Sequence, residues 1–431
     1  MRNLEAVEVG LREAVFRDLC AVLAELLNDP ALPVPQDFSQ PGEKCHPGRP
    51  KEFLSLFGPV PLGRNYYHSA AQQQGRAPLD QALGLWAGYS PGVLRVLCRA
   101  AARLPFELGA SDLKAYCGLE VEGRQIQRVA QAMGPRVRQV QEQLPPFKHD
   151  ADPIPVMYVA VDGTGVPMVP SELEGRAGKQ PDGSAKTREV KLGCVFTQTT
   201  TDEEGLPLRD YQSTSYVAGF QEAADFMVRV RHEALRRRLG AAQLLVLLGD
   251  GAAWIWEQGK KCFPMACQIL DLYHALEHLT ALTQLLEGPE AAKALWQTWR
   301  EQLLADGVAQ VMQEARQRAA QLSGEAAELA AKQIAYFHNN QSRMLYGRYR
   351  AQGFFYGSGV VEAGCKTLIG ARCKASGMLW SEPGATHVLD LRCCLFGNQF
   401  DQAWDRLNQS DYLRLRIIEA PEDTQQARQV A

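Results

Sequence analysis

The segment MYVAVD at residues 157–162 decides how this chain is read. An apolar run rich in aromatic and β-branched residues stops at an acid, Asp162, and Gly163-Thr164-Gly165 follows, which predicts a short buried strand ending in a turn. A second such run, QLLVLL at 243–248, stops at Gly249-Asp250-Gly251. A third, at 265–270, leads straight into Asp271 and a long helical pattern. Three acids therefore stand where buried strands end.

Working outward, 189–198 and 211–217 predict two further strands, 220–239 a helix and 254–258 a short helix. The order is three strands, helix, strand, helix, strand, helix. This is the order of an RNase H-like fold, a mixed sheet flanked by helices in which acids at the ends of the first and fourth strands lie side by side. From 271 to 353 the chain reads as helices, with breaks near Gly288-Pro289 and Ser323-Gly324, so an all-α insertion interrupts the α/β core. After Tyr356-Gly357-Ser358-Gly359 a helix carries Val360, Val361, Glu362, Lys366 and Leu368. A loop (SGMLW) and a last helical segment follow, and the polar tail from Pro421 is expected to fray.

The N-terminal region reads as mainly helical. Leu4, Val7, Leu11, Val15, Leu19, Val22 and Leu26 have helical spacing. The Pro-, Gly- and Lys-rich stretch 41–51 breaks the pattern before a hairpin at 53–67 that turns at Gly58-Pro59. Residues 79–133 are helical again. Ser111 is read as the cap of a short helix to Cys117, and a turn at 118–123 precedes a helix from Arg124 to Met133, a helix-turn-helix-like layout. The stretch from Pro145-Pro146 to Pro155 reads as a linker. The expected organisation is 1–74, N-terminal helix and Cys/His hairpin; 75–150, DNA-binding helices; 151–275, first part of the core; 276–352, insertion; 353–404, last core helix and basic segment; 405–431, tail.

Composition narrows the classes. In 431 residues, 46% are hydrophobic and 22% charged, as in globular proteins, and the length suggests several structural units. No run approaches the ~18 to 20 apolar residues of a membrane helix, and no signal-peptide pattern opens the chain, so a cytoplasmic protein is expected. The 11 cysteines lack a repeated CxxC spacing and are read as buried reduced thiols. Around Cys45-His46 and Tyr66-Tyr67-His68 the four ligands of a closed zinc site are not present, which argues against structural zinc. The net charge of -3 advertises no affinity for nucleic acid, yet charge is uneven. Between Arg343 and Trp380 six basic residues (Arg343, Arg348, Arg350, Lys366, Arg372, Lys374) surround one acid, Glu362. Arg124, Arg128, Arg136 and Arg138 form an acid-free stretch, and Arg229 to Arg238 a third cluster. Each is either a solvated helix face or a phosphate-contacting patch.

Clustered carboxylates at adjacent strand ends repel one another and favour cations, and oxygen ligands suit Mg²⁺. Two such ions about 3.5 to 4 Å apart can activate a nucleophile and stabilise a leaving oxygen in phosphodiester chemistry. Asp162, Asp250 and Glu362 are the candidate ligands, and each Asp alone is also readable as a helix cap. Arg188, Lys191, Lys366, Arg372 and Lys374 suit phosphate contacts, as do Arg124 and Arg128 on the second helix of the helix-turn-helix-like pair. His274 is read either as part of the site or as a helix-face partner of Glu277. Trp254 and Trp256 are read as core residues or as platforms for a splayed base.

The segments VDGTGVP, REVKLG, GDGAAWIW, DLYHALEHL, YGSGVVEAGCK and KASGMLW together resemble an insertion-sequence transposase of the ISKra type, over about residues 51–404. Related RNase H-fold transposases of the Mutator and hAT groups share the order acid, acid, helical insertion, acid and a Cys/Asp-x-x-His motif after the second acid, which Asp271 and His274 match. The resemblance implies Asp162, Asp250 and Glu362 as catalytic triad, with Asp271 and His274 in support. It also implies Mg²⁺ (Mn²⁺ as substitute, two ions), DNA as partner and substrate, and at least a dimer on DNA. The alternatives are a catalytically silent DNA-binding protein, against which the intact triad speaks, and a nuclease without strand transfer, against which the insertion and the Asp-x-x-His motif speak.

Overall fold

The helix expected near the N-terminus spans Leu4–Leu27 and is capped by Asn3, whose side chain accepts from the Ala6 N–H. Its C-terminal half is packed: Cys20, Leu23, Ala24 and Leu27 meet Phe53, Val60, Leu62 and Leu79, and Phe16 meets Phe57 edge-on, while Leu4 and Leu11 stay exposed. In this computed structural model, described over residues 3–30, 34–71, 73–148, 152–178, 180 and 183–408, the chain forms two compact units. One comprises Met1–Leu97, Ala110–Val121 and Asp405–Ala431; the other, Cys98–Gly109 and Glu122–Trp404. The expected fraying from Pro421 lies outside the described residues.

In the first unit β1 (Glu43–Ser55), β2 (Gly58–Ser69) and β3 (Gln74–Arg76) form an antiparallel sheet in that order. The stretch 41–51, read as a break, is thus mostly strand. A register shift between His46 and Arg49 absorbs Pro47 and Gly48, and β1 is an edge strand, where proline is tolerated. The turn is Leu56-Phe57, two residues before the expected Gly58-Pro59.

The second unit holds the other strands: β4 (Ile154–Pro167), β5 (Thr187–Gln198), the two-residue strands β6 (Thr200–Thr201) and β7 (Pro207–Leu208), β8 (Ser215–Gly219), β9 (Ala242–Gly249) and β10 (Cys267–Leu270). Five of them make a sheet in the order β10-β9-β4-β5-β8. Pairing is parallel from β10 through β9 to β4 and antiparallel from β4 through β5 to β8. β4 is central, which is why MYVAV is apolar without alternation: Met157 to Val161 are all 0% exposed. The sheet is therefore mixed and flanked by helices, as expected.

β4 differs from expectation in one respect. It does not turn at Gly163-Thr164-Gly165 but runs on to Pro167, paired with Thr187. The glycines serve close strand approach, because a Cβ at Gly163 would stand 2.4 Å from the Glu189 carboxylate and one at Gly165 2.7 Å from the Thr187 hydroxyl. Asp162 consequently lies inside a strand. The insertion follows β10 as the helices Leu272–Leu286, Pro289–Leu304, Val308–Ala319, Gly324–Asn340 and Tyr346–Ala351. Breaks fall at Gly288 and Ser323 as expected, and also at Asp306, whose φ is +65°. Trp299, Leu279, Val311 and Phe337 fill its core, and Trp299 Nε1 donates to Glu314 at 2.8 Å.

Ser111 does not begin a helix. It lies within Phe106–Asp112, which runs into a π-helical turn, Leu113–Cys117, and stops at Gly118 in the left-handed region. The next helix, Gly123–Glu142, starts with a reciprocal cap between Glu122 and Gln125 and is longer than the sequence suggested. The division of the chain at 110 and 122 passes through the 75–150 segment. All 11 cysteines are free, but Cys20, Cys45, Cys117, Cys262 and Cys267 are only half-buried.

Candidate active site

Sheet register brings the first two acids together. Val161 lies opposite Gly249 in the parallel pair, so Asp162 and Asp250 occupy the next positions on neighbouring strands. Asp162 Oδ1 accepts from the Gly163 N–H at 2.6 Å, and Asp250 Oδ1 from the Ala252 N–H at 2.9 Å. Burial pushes the Asp162 carboxyl above its ordinary value and the Asp250 charge adds to this. The Gly163 N–H, the Cys365 thiol and His274 pull the other way without cancelling it. A carboxylate held in this state gains from any cation placed beside it.

Asp271 is fully buried and caps the helix Leu272–Leu286, accepting from Tyr273 N and His274 N at 3.2 Å each. It also accepts from Ser358 N (2.9 Å) and Ser358 Oγ (2.9 Å) and meets His274 Nδ1 at 2.6 Å. Burial raises its carboxyl, yet the hydrogen bonds from His274 and Ser358 outweigh burial and bring it below the ordinary range. Its oxygens are saturated with donors, so Asp271 is a brace rather than a free ligand. His274 is the beneficiary. The bond to Asp271 lifts it to about 9 against the cost of desolvation, with Asp271, Asp250 and Glu277 contributing charge. Its principal partner is thus Asp271 rather than Glu277, and with Nδ1 engaged, Nε2 is left for the site.

Glu362 arrives on the helix Gly359–Gly364, which continues through a π-helical turn, Cys365–Gly370. Ser358 precedes it, and its hydroxyl also reaches Glu362 Oε1 at 2.5 Å, so one side chain joins the Asp271 and Glu362 carboxylates. Cys365, one helical turn beyond Glu362, places its thiol on Asp162. Asp271, His274 and Glu362 each bring a ligand atom within 4.8 Å of the others. Within that group Asp271 is taken up by its donors, and Asp162 and Asp250 offer further carboxylate oxygens where the neighbouring strands end. Oxygen-rich donors of this kind fit Mg²⁺ or Mn²⁺.

The basic residues separate into two groups. Lys366 is exposed at 4.0 Å from Glu362, Lys374 donates to Thr164 Oγ1 two residues beyond Asp162, and Lys191 is held on the Gln221 carbonyl at 3.1 Å over the Trp254 ring. Arg124 and Arg128 are exposed on one face of the helix Gly123–Glu142. Arg188 and Arg372 depart from their expected role. Arg188 is paired with Glu172 (3.2 Å) and Glu382, which neutralise it. Arg372 is 0% exposed, its guanidinium over Phe106 and Trp380 and its Nε on the Ala101 carbonyl, so it belongs to the core. Trp256 is buried under Arg343, while Trp254 is half-buried.

No family model and no curated protein matches this chain. Among solved structures it is similar to a Drosophila P element transposase strand transfer complex, at 10% identity and a TM-score of 0.28, over 76% of this chain and 83% of that one.

Sequence reasoning passed over Ser358 and Cys365. Ser358 stood in a glycine-rich turn that reads as punctuation, and Cys365 among thiols read as inert core. Replacing Ser358 by Ala removes the hydroxyl shared by two carboxylates. The expected cost is about 2 kcal/mol in urea unfolding and a loss of Mn²⁺ affinity of roughly 10-fold or more. Unchanged values for both would show that Ser358 joins nothing of consequence.

Proposed function

We propose that this chain is a metal-dependent DNA transposase of the RNase H-like class, of ISKra type, with Asp162, Asp250 and Glu362 as its metal-holding triad. The observation that carries the reading is the in-register pairing of β4 with β9, which sets Asp162 beside Asp250, while Ser358 ties Glu362 to Asp271 and Cys365, on the continuation of the Glu362 helix, bonds Asp162. Bound divalent ions would activate a water or a 3'-hydroxyl and stabilise the departing oxygen. The chain's own residues do the rest. Asp271 holds the His274 ring through Nδ1 and raises its basicity, which keeps it a cationic donor toward a phosphate oxygen at neutral pH. Lys366 and Lys374 flank the cluster as phosphate contacts, and Arg124 and Arg128 supply a second basic face. Two element ends must be processed, which implies at least a dimer on DNA.

Labelled element-end DNA incubated with Mg²⁺ or Mn²⁺ tests this. Wild-type protein is expected to give cleaved and joined products that Asp250→Ala and Glu362→Ala both lose. Cleavage without joining would point to a nuclease, and binding without any product to a silent DNA-binding protein. The basic residues give a second test. Lys366→Ala and Lys374→Ala are each expected to lower the salt dependence of DNA binding by about 0.9 in slope, whereas Arg188→Met leaves it unchanged. An equal effect of all three would remove the distinction between the exposed lysines and the doubly paired Arg188.

A further inference from the structure

Beyond the helix Leu272–Leu286, which carries His274, the helical insertion reaches the proposed metal site through Tyr336. Tyr336, on the helix Gly324–Asn340, donates its hydroxyl to the backbone carbonyl of Asp250 at 3.0 Å. Its ring lies against the following residue: Gly251 has φ +103°, and a Cβ there would stand 2.8 Å from the Tyr336 ring. The ring is stacked on His278 at 3.6 Å with an interplanar angle of 19°, and His278 Nδ1 is itself held at Gln333 Oε1, 2.6 Å away. The Asp250 turn is thus secured at two points, by the Ala252 N–H on its carboxylate and by Tyr336 on its carbonyl. The second point belongs to a segment more than 80 residues further along the chain.

We infer that Tyr336 is a positioning residue for Asp250, which makes the insertion a working part of the metal site rather than an appendage to the core. This rests on the proposed function in taking Asp250 as a metal ligand. A carboxylate at a strand end swings with the peptide that follows it, so a hydroxyl anchoring that peptide narrows the directions the carboxylate can take. The glycine at 251 is required by the same arrangement, since any side chain would displace the ring.

The test is Mn²⁺ binding to the folded full-length chain, followed by electron paramagnetic resonance, for wild type, Tyr336→Phe and Asp250→Asn. Tyr336→Phe keeps the ring and its stack and removes only the hydroxyl. It is expected to weaken Mn²⁺ binding about 10-fold, in the range found when outer partners of metal ligands are removed. A purely structural hydroxyl would lower the unfolding midpoint in chelator and leave the Mn²⁺ dissociation constant of the folded protein unmoved, and that result overturns the inference while the site reading stands. Wild type that binds Mn²⁺ no better than Asp250→Asn would overturn both.

Discussion

Replacing Asp162 by asparagine is expected to abolish metal-dependent cleavage and, in chelator at pH 8, to make the protein more stable. The two effects have one cause. Burial and the neighbouring Asp250 hold the Asp162 carboxyl above its ordinary value, so the folded state resists its ionisation. The sign follows from linkage. A carboxyl whose folded value is raised imposes no penalty in acid, where it is protonated in both states, and destabilises the fold increasingly as the pH rises and it ionises. The neutral isostere escapes that penalty but loses the negative charge that the proposed site would offer a cation. Activity should fall by about 10³-fold or more, as when members of a unit that acts together are removed. Magnesium should then raise the melting temperature of wild type but not of the variant, because only a bound ion stabilises by mass action. Calorimetry with and without Mg²⁺ checks this, and a variant less stable than wild type in chelator would contradict the crowded-carboxylate account.

Asp390→Asn, away from that cluster, is expected to stabilise the chain at pH 8 by about 2 kcal/mol and to flatten its pH dependence. Asp390 is 3% exposed on the helix Glu382–Phe396, its Oδ2 has no hydrogen-bond partner among the described residues, and Arg138 Nη1 is 3.7 Å away, too far to bond. Burial lifts its carboxyl to about 7 from 3.8, against the attraction of Arg138 and Arg229 and with some repulsion from Glu142. Below pH 3.8 both folded and unfolded chains hold the proton, and there is no penalty. Between 3.8 and about 7 only the unfolded chain releases it, so stability falls with rising pH and then levels off. Urea unfolding of both proteins at pH 5 and pH 8 measures the effect. A gap between them that is equal at the two pH values would mean that Asp390 does not titrate in this range.

Much of the core was legible. Buried strands between helices declare themselves when apolar runs stop at acids, and this found β4, β5 and β9 within a few residues. The starts of β8 and β10 were read four and two residues early, because exposed Tyr211 and Met265 resemble strand residues until their surroundings are known. Gly163-Thr164-Gly165 was misread for a physical reason. Glycine marks a turn when the chain bends and a strand when a neighbour comes close, and only the position of β5 separates the two.

What the sequence by itself determined was the order of strands and helices and where acids follow the buried apolar runs, because apolar periodicity and its interruption are local properties of the chain. Only the tertiary structure decided which of these acids stand free and which are used as braces, since that depends on donors brought from distant segments. Ser358 saturates Asp271 from 87 residues away, and Tyr336 secures the Asp250 peptide from the insertion. The fate of the arginines was settled in the same way. Charge can be counted along a chain, but whether it meets solvent, a carboxylate or an aromatic face is fixed by packing alone, which leaves Arg124 exposed, pairs Arg188 and buries Arg372.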